Sequence, residues 1–446
     1  MQPIDIKKIQ SFKKDFGLSG YKKSEFGFIP KDWEVIKIEE LINENIIEKP
    51  MDGNHGNLHP TSQDYVEKGI PFLLASDVEN DRIDLNNCKF ISQETSKKLQ
   101  KGFAKEGDVL LTHKGSVGNS AIVPKISTEY VVLTPQVTYY RIKNKERLNN
   151  HFLKNIFQSN YFQKQLKIVG KGATRDYIGI VAQRQLKVIL PKNIEEQQKI
   201  ASILSTWDKA IELKEKLIEQ KKQQKKGLMQ KLLTGEVRLP GFEEEWEEVK
   251  LGELGDFKTS SVDKKVNKND IEILLVNYMD VYRNRLIDNT IDFMKVTATK
   301  KQIETFNVQY GDVLFTPSSE TPDDIGHSAV VKVDSAKILY SYHLVRLRFK
   351  REMDVDFKAY VFNSSNLLRE FSKRATGATR YTLSLSDFKE STIRIPKDIT
   401  EQKAIGTVLL NSEREIRLLK KELEMLKQQK KGLMQLLLTG KVRVKV

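Results

Sequence analysis

The stretch Gln223-Gln224-Lys225-Lys226-Gly227-Leu228-Met229-Gln230 occurs a second time, unchanged, as Gln428-Gln429-Lys430-Lys431-Gly432-Leu433-Met434-Gln435, 205 positions later. Each copy runs on through Leu-Leu-Thr-Gly (residues 232–235 and 437–440) into Val-Arg (Val237-Arg238 and Val442-Arg443). The same offset relates Pro191-Lys192-Asn193-Ile194 to Pro396-Lys397-Asp398-Ile399, Glu196-Gln197 to Glu401-Gln402, and Gly172-Ala173-Thr174-Arg175 to Gly377-Ala378-Thr379-Arg380. Further upstream, Trp33-Glu34 matches Trp246-Glu247, and Gly107-Asp108-Val109-Leu110 matches Gly311-Asp312-Val313-Leu314 at a different offset, so the loops differ in length. This is no solenoid period of about 20–50 residues. A domain-sized unit is used twice, with a kept scaffold and divergent loops, which is where variation is tolerated and binding is placed.

Each unit ends in a helix signal. Pro191 and Pro396 lie ahead of it, Glu195, Glu196 and Glu401 suit the positive N-terminal end, and Gly235 and Gly440 mark the stop. The first runs from about Glu195 to Leu233, roughly 38 residues or ~57 Å. A 4-3 spacing puts Ile200, Leu204, Trp207, Ile211, Lys214, Ile218, Lys221, Lys225, Leu228 and Leu232 on one seam. In the second helix the seam is Ile405, Leu409, Ser412, Ile416, Leu419, Leu423, Leu426, Lys430, Leu433 and Leu437. Such a period predicts a left-handed coiled coil, antiparallel because that relates two copies of one unit by an approximate two-fold axis. The lysine breaks mark places where pairing loosens or meets another surface.

The intervening segments read as mixed α/β, with strand patterns such as residues 109–112, 130–133, 188–190, 271–276 and 344–349, and helical stretches at 151–168 and 357–371. The predicted fold class is therefore α/β (α+β): two mixed domains and two long antiparallel helices. The expected boundaries are an N-terminal extension at 1–29, a first domain at 30–194, helix and linker at 195–242, a second domain at 243–399, and the second helix at 400–446. Trp33 and Trp246 read as core or docking residues.

Charge says what such a chain meets. Its net +15 and pI near 9.4 favour a polyanion, most simply nucleic acid, over an anionic membrane or an idle basic surface. No apolar run suits a membrane span, and the first residues lack a secretory apolar core. Cys88 is the lone cysteine, which excludes an internal disulfide and fits a reducing, cytoplasmic setting. Catalytic signatures are missing: no P-loop, no glycine-rich cofactor loop, and no Asn/Asp-Pro-Pro-aromatic motif. No catalytic or metal residue is assigned; His55 and His59 have metal-like spacing, but Gly53, Gly56 and Pro60 place them in a loop.

What remains is polar loops. Lys171, Thr174, Arg175 and Tyr177 in the first unit occupy the place of Lys373, Arg374, Thr379, Arg380 and Tyr381 in the second. Glycine there lets backbone approach a phosphate, threonine bonds phosphate, and arginine grips phosphate or a guanine edge. Asn54, His55, His113 and Lys114 are further DNA-contact candidates.

Together the Pro-x-x-x-x-Glu-Gln helix entry, the Gln-Gln-Lys-Lys-Gly-Leu-Met-Gln-x-Leu-Leu-Thr-Gly helix end and the start Pro30-Lys31-Asp32-Trp33-Glu34-Val35 resemble the specificity subunits of type I restriction-modification systems. The resemblance spans both halves, leaving out only residues 1–20. It implies two target-recognition domains that read a split, asymmetric double-stranded DNA sequence. It implies helices acting as a ruler, with half-sites about one helical turn (~34 Å) or slightly more apart, and docking for two methyltransferase subunits and for restriction/translocase subunits. S-adenosylmethionine, ATP and Mg2+ then belong to those partners and no cofactor to this chain. Two other readings stay open: a single-chain restriction enzyme or methyltransferase, and a coiled-coil adaptor that does not meet DNA. If the ruler holds, equal insertions into both helices shift the gap tolerated between half-sites, measured by binding to DNAs of graded spacing. An unchanged gap preference contradicts it.

Overall fold

The computed structural model describes residues 20–79, 81–170 and 177–446. It falls into two compact units. One holds the described residues up to Leu213 together with Leu423–Val446, the other Lys214–Glu422, so the chain of the first unit is discontinuous. Both long helices, Ile194–Leu232 and Ile399–Leu437, contribute one half to each unit.

Within the first unit a four-stranded sheet has the order Ser120–Ile122, Val109–Thr112, Val137–Tyr140, Met51–Asp52. The second unit repeats it as Ser328–Val331, Val313–Phe315, Val345–Phe349, Gly255–Thr259, extended by Leu286–Ile287. The other sheet is also shared: Phe103–Ala104, Val131–Leu133, Ile70–Leu73, Lys89–Ile91 corresponds to Asn307–Val308, Ser335–Tyr340, Ile271–Val276, Met294–Ala298. In both, the second and third of these strands run parallel. The Gly-Asp-Val-Leu repeat has its cause here. Asp108 takes Arg141 Nε and Nη2 at 3.0 and 2.7 Å, and Asp312 takes Arg348 Nε and Nη2 at 3.1 and 2.7 Å, each pinning one strand to its neighbour.

Each unit is then closed at the start of a long helix. The strand Trp33–Lys37 pairs with Lys187–Pro191, and Glu247–Lys250 pairs with Thr392–Ile395. Glu196, only 1% exposed, accepts Arg443 Nε at 2.6 Å and Nη2 at 2.8 Å, and the Trp33 indole N–H at 3.1 Å. In the second unit Glu401 receives Arg238 Nε and Nη2 at 2.6 and 2.7 Å, and the Trp246 indole at 3.3 Å. The neighbouring glutamine ties down backbone. Gln197 Nε2 donates to Pro191 O and its Oε1 accepts Asn149 N; Gln402 does the same with Pro396 O and Asp354 N. Trp, Glu-Gln and Val-Arg, far apart in sequence, thus form one contact set per unit.

The two long helices lie antiparallel. In the second unit Lys214, Lys221 and Lys225 pair with Glu422, Glu415 and Glu413 at 2.8, 2.8 and 2.6 Å, one number falling as the other rises. Lys430 of the first unit pairs with Asp208 and, at 2.7 Å, with Asp81. The lysine breaks in the seam are therefore ion-paired, not loosened. Of the seam positions, Ile200, Leu204, Leu423 and Leu437 are buried in the first unit, and Trp207, Ile211, Leu426 and Leu433 half-buried. In the second unit Ile218, Leu232, Ile405, Leu409 and Ile416 are buried, with Leu228 and Leu419 half-buried. The ends depart from a simple helix pair. Ile200, Leu204 and Leu437 belong to the same core as Trp33 and Phe152, and Leu232, Ile405 and Leu409 to that of Trp246 and Phe357. The helix termini are core elements of the domains themselves.

Two helices differ from the expectation of single stretches at 151–168 and 357–371. The first is broken into Asn150–Gln158 and Asn160–Val169 because Ser159 takes an extended backbone and caps the second piece. The other is broken into Val355–Val361 and Ser365–Arg374, with Asn363 in the break held by Ser328 N and O at 3.1 and 2.9 Å.

Arg443→Ala leaves the buried Glu196 carboxylate with the indole alone. The expected cost to the first unit is about 3 kcal/mol, read as a lower denaturant midpoint; an unmoved midpoint contradicts the role given to this contact.

Candidate nucleic-acid interface

The two polar segments singled out in the first unit meet, and in the second unit the segment of Arg380 meets Ser318–Ser319 in the same way. In the first, Lys114 forms an antiparallel bridge with Tyr177, and Ile178 N donates to His113 O at 3.0 Å. In the second, Ser318–Ser319 pairs with Tyr381–Thr382, and Leu383 N donates to Pro317 O at 2.9 Å. The scaffold is one and the same, since Lys114 and Ser318 stand equally far beyond Gly107 and Gly311. The side chains on it differ. Lys114 is exposed, with its Nζ 5.9 Å from the Tyr177 ring centre, and Tyr177 is 45% exposed. Arg380 is exposed and donates from Nε and Nη2 to Ser318 Oγ at 3.3 and 3.2 Å. Thr379 is exposed on the same loop, Lys373 is exposed in the last turn of the helix Ser365–Arg374, and Tyr381 is half-buried.

Other candidates are placed differently. Lys171, Thr174 and Arg175 lie outside the described residues. Asn54 is 3% exposed; its amide donates to Lys101 O at 2.7 Å and accepts Gln100 N at 3.0 Å, so it shapes its loop and does not face a base. His113 is fully buried, its Nδ1 3.0 Å from Ile178 O. Burial holds its pKa below the usual histidine value, so it stays a neutral ring under the loop pair. Arg374 is held by Glu370 and by Glu390 O, both at 3.2 Å, and serves the helix end. His55 remains exposed, its Nε2 2.8 Å from Asp52 Oδ2. Burial pushes the Asp52 carboxyl up, but hydrogen bonds from Lys101 and His55 outweigh that and hold it below the usual range. Gly377 also has another reason than phosphate approach: at φ 145°, a Cβ there would meet Arg380 O at 2.0 Å, inside the turn that the Thr376–Thr382 bridge closes.

Ser318 and Lys101 escaped the sequence reading. Ser318 was within reach through its fixed distance from Gly311; nothing local marks Lys101, whose role comes from the distant Asp52. Among the described residues no group of three or more His, Cys, Asp or Glu side chains is placed to hold a metal ion.

Residues 30–223 and 243–428 each match the sequence profile of the family described as the type I restriction modification DNA specificity domain. The type I restriction enzyme MjaVIII specificity subunit of Methanocaldococcus jannaschii is 30% identical over 228 residues, 50% of this chain and 51% of that one. The putative MjaX specificity subunit of the same organism is 26% identical over 447 residues, covering 95% of this chain and 97% of its own. Among solved structures, a chain from work on the assembly and conformational transition of the type I R-M system aligns with a TM-score of 0.61 at 16% identity, covering 93% of this chain and 99% of that one. The S subunit of a type I system from M. genitalium aligns at 0.51 and 15%, covering 91% and 96%.

Proposed function

Because the chain belongs to the family of type I restriction modification DNA specificity domains, once in each half, we propose that it reads a split double-stranded DNA target, one part per unit, and leaves bond chemistry to other chains. The observation that carries this is the loop pair of each unit, where one backbone scaffold presents Lys114 and Tyr177 in one case and Ser318, Arg380 and Tyr381 in the other. Equal scaffolds with unequal exposed side chains suit two different half-sites. The net charge of +15 supplies phosphate contacts, whose binding is salt-sensitive because counterions are released.

Catalysis lies elsewhere in this reading. S-adenosylmethionine, ATP and Mg2+ are held by partners, and the target adenines are flipped into methyltransferase sites, since a stacked base is out of reach. Two methyltransferase subunits fit the repeat. Gln223, Gln224, Lys226 and Gln230 are identical to Gln428, Gln429, Lys431 and Gln435, and all eight are exposed. Packing does not demand identity at exposed polar positions, whereas two copies of one partner do. Restriction/translocase subunits join that assembly. Among the described residues no helix is long and apolar enough to cross a membrane, and the place of work proposed is the cytoplasm, where the DNA is.

Arg380→Ala, assembled with the partner subunits, is the test. Recognition of one half-site should weaken about tenfold, the scale of one good base contact, with the other half-site unaffected. Unchanged binding to the full target counts against the loop pair as the reading surface.

A further inference from the structure

A connected set of side chains in the second unit extends the loop pair. Tyr278, on the helix Tyr278–Arg283, donates from its hydroxyl to Ser318 O at 2.9 Å, the residue whose Oγ holds Arg380. The Tyr278 and Tyr282 rings stack, centres 6.0 Å apart and planes at 19°. Tyr282 Oη reaches both carboxylate oxygens of Asp324, at 3.2 and 2.9 Å. The His327 ring has its Nε2 2.9 Å from Asp324 Oδ1 and meets Tyr282 edge-on at 5.1 Å. Despite these contacts the Asp324 side chain is 45% exposed.

The first unit shares two local backbone contacts with this region and none of its chemistry. Asn277 N and Leu74 N bond Asp280 and Asp77, both at 2.8 Å, but the second unit continues there as the helix Tyr278–Arg283 and the first as the strand Val78–Glu79. Gly326 and Gly118 both take positive φ (79° and 100°) and donate to Thr316 O and Thr112 O, which aligns His327 with Asn119. The glycine turn is kept while the element beside it and its side chains are replaced, as a specificity surface allows.

We propose that Asp324, oriented by Tyr282 and His327, is a base-reading residue of the second unit and accepts a hydrogen bond from an amino-bearing base edge, cytosine N4 or adenine N6. An ionised carboxylate is acceptor-only, with about four lone-pair sites, so capacity remains after its two partners are served. Aspartate is a match for cytosine N4. Against a base edge that offers no amino hydrogen at that point the remaining lone pairs lose water without a donor in return, and against phosphate the carboxylate repels, so it rejects wrong sequences as well as favouring right ones. This rests on the DNA-reading function above.

The complex assembled with its partner subunits is bound to a library randomised across the target, comparing the wild-type chain with Asp324→Asn and Tyr282→Phe. Asp324→Asn should lower the preference for an amino-bearing base at one position of one half-site about tenfold, leaving the other half-site as it was. The base lost there, cytosine or adenine, identifies the edge. Tyr282→Phe keeps the ring and leaves the carboxylate held by His327 alone, and should give a smaller loss at the same position. Uniform weakening over all sequences with unchanged preferences makes Asp324 a loop brace and overturns the proposal. A wild-type complex with no sequence preference overturns the DNA-reading function itself, a separate outcome.

Discussion

A buried carboxylate at the first turn of each long helix receives an arginine from beyond the end of the other helix, and the indole of the tryptophan at the start of the closing strand pair of the same unit. Glu196 gathers Arg443 and Trp33; Glu401 gathers Arg238 and Trp246. A buried charge is costly unless it is paired and hydrogen-bonded, and here three donors converge on each one. The contact decides the connectivity of the fold: a unit is complete only when chain from the end of the other helix returns to it. Residues 423–446 therefore complete the unit that contains Trp33.

Between those nodes, charge sets the helix register. Lys225 and Lys430 are repeat equivalents, and so are their partners Glu413 and Asp208. In the first unit burial would raise the Asp208 carboxyl, but Lys154 and Lys430 outweigh it and hold it below the usual range. The surroundings differ even so: Asp81 and Lys154 complete one cluster, while Tyr360 donates to Glu413 at 3.0 Å in the other. Rim pairs such as Lys221–Glu415 add little stability but penalise a slipped register.

The duplication, the two helices and their mutual pairing were legible because repeated motifs and a 3.5-residue period are local patterns. The meaning of the glutamate, the Val-Arg pair and the tryptophans was visible only as recurrence, since their mutual contacts join residues 155 to 247 positions apart. Composition marked the loops correctly as polar but could not say which polar side chains face solvent. Asn54 is a DNA-contact candidate by residue type, yet its amide is consumed by backbone at residues 100 and 101. His113 looked like Lys114 and turned out to lie beneath it. Asp324 and Tyr282 carried no motif, because their relation exists only once the strand Val313–Phe315 and the helix Tyr278–Arg283 are brought together. Divergence at equivalent positions, such as His327 against Asn119, is a signal that needs structure to align it.

The central claim is that one chain touches DNA at two separate places with two different surfaces. Mapping methylated adenines across the genome of a host with this gene, and of the same host without it, tests that claim most directly. The account predicts one gene-dependent motif made of two unlike specified parts separated by a gap of fixed length. A contiguous motif, two identical half-sites, or a methylation map that does not change with the gene would contradict it.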